Sequence, residues 1–325
     1  MKLLCLLLVC GLAVAIPTNE WEEFKKTYGK SYANSADEEY RKTVFEDKLQ
    51  FIAEHNARFD QGKETYTVGM NKFGDMTQEE IVESTRCLPK GPPPPKGKLH
   101  QLSGKANAVE KDWRDDGAVS GVKDQGQCGS CWAFSTTGSL EASHFINTGY
   151  MYLESEQELV DCSRDYGNGG CNGGWQQNAF QYIVDKNGIN SEEVYPYEAL
   201  DGACRRDETH ITATCEGYIN IDTGDEAGMT DAIANIGPVS VSIDSTHPGF
   251  SMYQSGVYYD PACDPNLLSH AVLAVGYGEE NGMKYYIVKN SWADTWGDAG
   301  YIKMARDKDN NCGIATNSVY PTGSN

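Results

Sequence analysis

The sequence predicts an α+β chain in which a helical half joins a β half across a cleft, with a smaller helical unit ahead of both. Three observations carry that expectation. Residues 130–149, the run after Ser155 and Glu158, and residues 175–186 ahead of Gly188 read as helices from their caps and breakers. Further on, "PVSVSID", "HAVLAVGYG", "KYYIVKN" and "GYIKMAR" are short β-rich runs broken by Gly, Asp and Asn. Finally, eight cysteines (Cys128, Cys131, Cys162, Cys171, Cys204, Cys215, Cys263 and Cys312) are separated from Cys87 by "LPKGPPPPKGKLHQLSGKANAVE". Such a Pro-rich, Gly- and Lys-bearing stretch favours extended, solvated chain, so it reads as an exposed, protease-accessible linker.

Taken in order, the chain opens with Lys2, an apolar run over residues 3–14, and the small residues Ala13, Val14 and Ala15. That is the pattern of a cleaved secretory signal over residues 1–15. The run is shorter than the roughly 20 apolar residues that span a bilayer, and no later stretch approaches that length. The product is therefore expected to be soluble and luminal or extracellular, where disulfides persist. In the first unit, Tyr40, Val44, Leu49 and Ile52 recur at helical spacing, and Thr77 with Glu80 makes a capping box. Charge divides the units too. Residues 17–106 hold 14 basic against 15 acidic residues, whereas residues 107–325 hold 12 against 32 and so carry the whole formal charge of −20. A surface that acidic repels phosphate backbones and anionic lipid, which argues against nucleic-acid and membrane partners.

The stretch "QGQCGSCWAFS" at residues 125–135 carries the chemistry. Zinc would need two further ligands, and no second C-x-x-C or H-x3-5-H pair exists, so neither metal nor cofactor is expected. A redox dithiol would need a βαβ context, and the preceding residues are turn-rich, which makes it a weak second reading. The remaining reading splits the pair: Cys128 in a bridge, and Cys131 free at a helix start where N–H groups and the helix dipole favour a thiolate. A thiolate nucleophile needs an imidazole partner. Of six histidines, His270 is best placed, at the start of the strand "HAVLAVGYG". Asn290 in "KNSWADTWGDAGY" can then orient the imidazole, and Trp292 can shield that bond from water.

"QGQCGSCWAFS", "GCNGGW", "SHAVLAVGYG" and "NSWADTWGDAGYIKM" together resemble the papain family of cysteine proteases, and in particular its cathepsin L branch. The first unit is similar to the matching propeptide. Gly69, Asn71, Phe73 and Asp75 complete a G-x-N-x-F-x-D signature, and Arg41, Phe45, Ile52 and Asn56 fit a long-helix signature in which Asp37 and Lys48 replace the usual Glu and Asn. The resemblance implies a papain-like fold with a β-barrel-like second half, an inhibitory propeptide over residues 16–106 including the linker, and a cysteine peptidase domain over residues 107–325. It implies Cys131 as nucleophile, His270 as acid/base partner, Asn290 as orienting residue and Gln125 as an oxyanion donor. It also implies bridges Cys128–Cys171, Cys162–Cys204 and Cys263–Cys312, which leaves Cys215 unpaired.

Substrate contacts follow from the same resemblance. Gly173 and Gly174 would present bare backbone to an extended peptide. A pocket for the second residue before the scissile bond would be lined by Trp175, Ser242, Leu268, Ser269 and Asn317, with the indole narrowing it and the polar residues disfavouring Phe relative to Val or Pro. Two departures stand out: Ala293 replaces a usual glycine beside the catalytic asparagine, and Ala108 replaces a usual proline. The expected function is a cysteine endopeptidase made as a zymogen and acting on proteins and peptides through an acyl-enzyme. The alternative is a non-catalytic papain-like binding protein. A monomer is expected, inhibited by its own propeptide. No N-x-S/T sequon occurs, so a secreted digestive location fits at least as well as a lysosomal one.

Overall fold

The computed structural model describes residues 18–325; the expected leader at residues 1–15 lies outside the described residues. The first unit contains α1 (Thr18–Tyr28), α2 (Ser35–Asp60), β1 (Tyr66–Val68) and α3 (Gln78–Thr85). The side chain of Asn34 accepts from the N–H groups of Ala36 and Asp37, satisfying the open end of α2. The reciprocal capping box of Thr77 and Glu80 starts α3. This unit's own core is small: Trp21, Phe24 and Phe45, with Tyr28, Tyr32, Leu49 and Met70 packed around them. Lys48, one of the two departures in α2, is buried, and desolvation pulls its ammonium below the usual lysine range.

The second unit supplies β2 (Lys111–Asp112), α4 (Cys131–Thr148), α5 (Glu156–Cys162), α6 (Gln176–Asp185), β3 (Ile189–Asn190), β4 (Ile211–Ala213) and β5 (Gly217–Ile221). It continues with α7 (Glu226–Asn235), β6 (Val239–Ile243), α8 (Pro248–Ser251), β7 (Tyr253–Tyr258), β8 (His270–Glu280), β9 (Met283–Lys289), β10 (Tyr301–Ala305) and β11 (Asn317–Thr322). The main sheet runs in the order β1-β7-β10-β9-β8-β6-β11-β5, with β2 alongside β8. Its pairings are antiparallel except β7 with β10. Each of the four β-rich runs in the sequence forms a strand, and the three helical runs form α4, α5 and α6. Helix α4 is buried almost all round and stops at Gly149, whose φ of 81° is a left-handed stop that glycine adopts without strain.

Two cores sit on either side of the cleft. One fills the helical half around Trp132, Leu140, Leu159 and Phe180; the other fills the β half around Tyr286, Val288, Trp292 and Trp296. Neither belongs to the second unit alone. Tyr66, Val68, Phe73 and Ile81 enter the β-half core, and Cys87 and Leu88 enter the helical-half core. The first unit is thus docked by burial on both sides, and β1 also pairs with β7 as an extra edge strand.

The linker departs from the expectation of a freely exposed segment. Backbone bonds join Asn220 N–H to the Lys98 carbonyl (2.9 Å) and His100 N–H to the Asn220 carbonyl (2.7 Å). The His100 ring is held between Tyr320 (2.9 Å) and Asp231 (3.0 Å), and Ser103 also bonds Asp231. Composition showed prolines and lysines but not these partners. Only residues 101–110 form a continuously exposed stretch.

Phe73 meets Trp292 edge-on, with centroids 5.2 Å apart, and is 5% exposed. Truncating a buried Phe to Ala typically costs about 3–5 kcal/mol. Phe73→Ala is therefore expected to loosen the first unit and speed loss of the full-length chain in acid at least about tenfold. Densitometry of a gel time course checks this, and an unchanged rate would contradict the docking role.

Candidate active site

The cleft brings together residues from both halves. Cys131 is the first residue of α4, so its N–H has no intrahelical acceptor and faces the cleft with the positive end of the helix dipole. His270 is the first residue of β8, opposite Ile243 of β6. Asn290 follows β9, held by its N–H to the Gly300 carbonyl at 3.0 Å. His270 Nε2–H donates to Asn290 Oδ1 at 2.8 Å, which turns Nδ1 toward the sulfurs. Trp292 lies over the imidazole, with centroids 4.7 Å apart, and its own indole N–H has no partner among the described residues.

Gln125 is fixed from several directions. Its N–H donates to the Ser291 carbonyl (2.9 Å), its Oε1 accepts from Ser291 Oγ (2.7 Å), and its Nε2 donates to the Cys128 carbonyl (3.0 Å). One of the two amide protons remains available. Ala293, beside this loop, does stand at φ 68°. An alanine there costs roughly 1–2 kcal/mol. The cost stays local, because the Asn290–His270 bond is intact.

Cys131 stands against Cys87, a contact the sequence did not suggest: their sulfurs touch, with Cα atoms 5.7 Å apart. Cys87 Sγ lies 3.4 Å from His270 Nδ1, and the Ala271 N–H points at Cys131 Sγ (3.0 Å). The sequence placed Cys87 at the edge of the first unit with no partner; its position in the cleft depends on how α3 docks. Bridges Cys128–Cys171, Cys162–Cys204 and Cys263–Cys312 are present, and Cys215 is free and buried, its thiol pushed up to about 12 by desolvation. Burial also pulls the His270 imidazole down to about 4, against a smaller upward effect of the Asn290 bond.

The peptide-facing residues are occupied by the chain itself. Gly174 N–H donates to the Cys87 carbonyl (3.1 Å), and Cys87 N–H donates to the Ser269 carbonyl (3.1 Å). A Cβ on Gly173 would stand 2.9 Å from the Cys87 carbonyl oxygen, so bare backbone is needed there. Trp175 and Leu268 are buried in the cluster that also holds Leu88. Ser242 and Asn317 are fully buried and not left unpaired. Asn317 Nδ2 donates to Ser242 Oγ (3.0 Å), Gln176 Nε2 to Ser242 Oγ (3.0 Å) and Gln177 Nε2 to Asn317 Oδ1 (2.6 Å). The two glutamines were missed in the sequence, where they read only as polar residues of α6.

Two groups of side chains gather three potential metal donors: Cys87, Cys131 and His270, and Asp244, His247 and Cys263. In the second, Cys263 is committed to its bridge with Cys312, which leaves a carboxylate–imidazole pair.

Behind the site lies a buried charged layer. Lys123 bonds Glu141 (3.1 Å) and Glu156 (2.7 Å), and Lys289 Nζ donates to Ser120 Oγ. Burial pushes Glu141 upward, but Lys123 and Lys289 outweigh it and hold the carboxyl below its usual range. Glu154 and Glu156 go the other way. Desolvation, reinforced for Glu154 by Glu141, raises Glu154 to about 9; Glu156 rises to about 7. Neither oxygen of Glu154 has a hydrogen-bond partner among the described residues.

Comparison with known proteins places this geometry. Residues 108–322 match the papain family cysteine protease model, and residues 21–81 match the cathepsin propeptide inhibitor domain. Digestive cysteine proteinase 2 of Homarus americanus is 52% identical over 316 residues, covering 97% of this chain and 98% of that protein. Cathepsin L of Sarcophaga peregrina is 48% identical, covering 93% and 92%. The solved structure of digestive procathepsin L2 from Tenebrio molitor larval midgut superposes with a TM-score of 0.89 at 44% identity, covering 94% of this chain and 99% of that one. Fold and cleft define a thiol peptidase carried behind its own inhibitory segment. The chain belongs to the papain family and is a cathepsin L-like cysteine protease made as a proenzyme.

The raised carboxyls set a pH dependence. Glu154 and Glu156 normally titrate near 4.5, so between there and about 9 the folded chain keeps protons that the unfolded chain has released. Stability contributed by their protonated forms is present at acid pH and falls as pH rises through that window. The chain is expected to melt higher at about pH 5 than at about pH 8, and Glu154→Gln to reduce the difference. Differential scanning calorimetry checks both, and a higher melting temperature at the alkaline end would contradict the assignment.

Proposed function

We propose that Cys131 is the nucleophile and His270 its acid/base partner in an endopeptidase of secreted, digestive character. The observation that carries this is the gathering of His270, held by Asn290 Oδ1 at 2.8 Å, with the sulfur at the start of α4, their donor atoms within 4.8 Å of each other. Once the propeptide has left, the Cys131 thiolate stabilises the imidazolium and reverses the downward pull of burial on His270. The thiolate attacks the scissile carbonyl. The resulting oxyanion accepts from the Cys131 backbone N–H and the spare Nε2 proton of Gln125. The imidazolium then protonates the leaving amine, and the neutral ring takes a proton from the water that hydrolyses the acyl-enzyme. Asn290 holds the ring and Trp292 keeps water from the Asn290–His270 bond.

Residues 16–106 act as the inhibitory propeptide in this reading, occupying the cleft with Cys87 against Gly174 and Ser269. Cleavage within the exposed residues 101–110 releases the catalytic domain, residues 107–325. Secretion follows from the leader pattern at residues 1–15, and the digestive names of the lobster and mealworm relatives support it. The catalytic domain acts as a monomer on proteins and peptides. Ser242 and Asn317, satisfied through Gln176 and Gln177, form a rigid polar backing to the pocket rather than unpaired groups inside it. Trp175, Leu268 and Ser269 shape the remainder.

Gln125→Ala in the processed enzyme is expected to lower kcat by about 10²–10³, the usual cost of one oxyanion donor, with KM little changed. Steady-state kinetics on a peptide substrate test this, and an unaltered kcat would remove Gln125 from the reaction. Leu88, buried in the same cluster as Trp175 and Leu268, supports an aliphatic preference there. Peptides with Val or Pro at the second position before the cleaved bond are expected to show kcat/KM about tenfold or more above those with Phe. Equal or better turnover of Phe would sink the narrow-pocket reading, and Trp175→Leu should recover Phe cleavage.

A further inference from the structure

The propeptide meets the catalytic residues through one side chain that the inhibitory reading does not require. Steric occupation of the cleft needs only backbone, as the bonds of Cys87 to Gly174 and Ser269 show. Yet the residue at the point of closest approach is a cysteine. Its Cα lies 5.7 Å from that of Cys131, within the usual span for a disulfide, and the two sulfurs are in contact. Cys87 is 1% exposed, and Cys131 and His270 are wholly buried. The approach is built into the cleft: a Cβ on Gly129 would stand 3.0 Å from the Arg86 carbonyl, and one on Gly173 2.9 Å from that of Cys87. A secretory route supplies the oxidising conditions in which such a bond persists.

We propose that Cys131 carries a covalent modification in the proenzyme, an intrachain disulfide to Cys87, so that release of activity requires a thiol reductant as well as acid and cleavage of the linker. The proposal rests on the reading of Cys131 as nucleophile. Formation consumes a disulfide oxidant: two cysteine thiols give up two protons and two electrons, and the oxidant RSSR becomes two RSH. Release runs by exchange. A thiolate RS⁻ attacks Cys87 Sγ, the Cys87–Cys131 bond breaks, and Cys131 departs as a thiolate, leaving Cys87–S–SR. A second RS⁻ then attacks the R-side sulfur, freeing Cys87 as thiolate and forming RSSR. Attack at Cys87 is favoured because the better leaving group is the sulfur at the helix N-terminus, where its negative charge is stabilised. Both sulfurs are buried, so reductant reaches them in the form whose propeptide has been loosened.

The same bond would hold a cleaved propeptide in place. After scission in residues 101–110 without reductant, the inhibitory fragment stays tethered to the nucleophile it covers. Scission of the linker by another protease, without reductant, would yield a nicked but silent molecule.

The test uses the full-length proenzyme purified without reductant. Its accessible and buried thiols are alkylated under denaturing conditions, and it is then digested and analysed by mass spectrometry. A linked peptide pair containing Cys87 and Cys131, with Cys215 as the alkylated cysteine, is expected. Acid incubation in thiol-free buffer should give full-length mass on a non-reducing gel with less than about a tenth of the peptidase activity seen after adding dithiothreitol. Cys87→Ser and Cys87→Ala, which cannot form the bond, should release the fragment and gain activity in acid without thiol. Alkylation of both Cys87 and Cys131 in the unreduced proenzyme overturns the proposal, as does thiol-independent activation of the unmodified chain at the rate of Cys87→Ser. Stoichiometric zinc in the unreduced protein, with both thiols alkylated after chelation, overturns it too. If the linked peptide is found but no arm gains activity on reduction, the role of Cys131 as nucleophile has failed, while the bond itself stands.

Discussion

The contact between the first turn of α4 and the first residue of β8 is the constraint on which the rest of this structure depends. Cys131 and His270 are 139 positions apart in sequence, and they meet because α4, buried from Cys131 to Ala142, lies directly against the sheet. Ser135 Oγ donates to the Val272 carbonyl at 2.7 Å and bonds Ser240 Oγ at 2.5 Å, which ties the helix to both β6 and β8. At Gly138 an added Cβ would come 2.9 Å from Leu273 Cδ2. A glycine inside a helix costs about 1 kcal/mol of helix stability, and here it lets Leu273 pack close over the helix. The bonds of Ser135 to β6 and β8 then hold Cys131 and His270 in register with each other.

The propeptide exploits that rigidity. Its side chains enter both cores, so it is bound as part of the fold while its backbone crosses the cleft as a substrate mimic. Phe73 reaches Trp292, the residue that covers the imidazole, and so couples propeptide docking to the lid of the Asn290–His270 bond. With the cleft filled, the ring is wholly buried, and desolvation works against a proton on it. The closed, dry site thus disfavours the charged imidazole that the proposed reaction needs.

Much of this was legible in the sequence where chemistry is local. The start of α4, the strand beginning at His270 and the Thr77–Glu80 cap follow from short-range pattern, because caps, breakers and alternation act over a few residues. The proposed catalytic set was legible mainly through the resemblance, since no spacing rule brings Gln125 to Ser291 or Asn290 to His270. Gln176 and Gln177 were not legible, because whether a glutamine is solvated or completes a buried network depends on which strands it faces. The position of Cys87 was hidden for the same reason, and so was the pinning of His100 by Asp231, in a segment whose composition suggested only exposure. Three-dimensional docking decided each of these.

The central claim is that α4 and β8 hold a thiolate–imidazolium pair once the propeptide has left. The most direct measurement is the pH dependence of Cys131 alkylation by iodoacetamide in the processed, reduced enzyme, with the modified residue identified by mass spectrometry. The account predicts fast alkylation with a plateau reaching well below the ordinary cysteine pKa of about 8.5, and a plateau that shrinks in Asn290→Ala as the ring loses its orientation. A rate that rises only as pH approaches about 8.5, as for an unperturbed thiol, would contradict it.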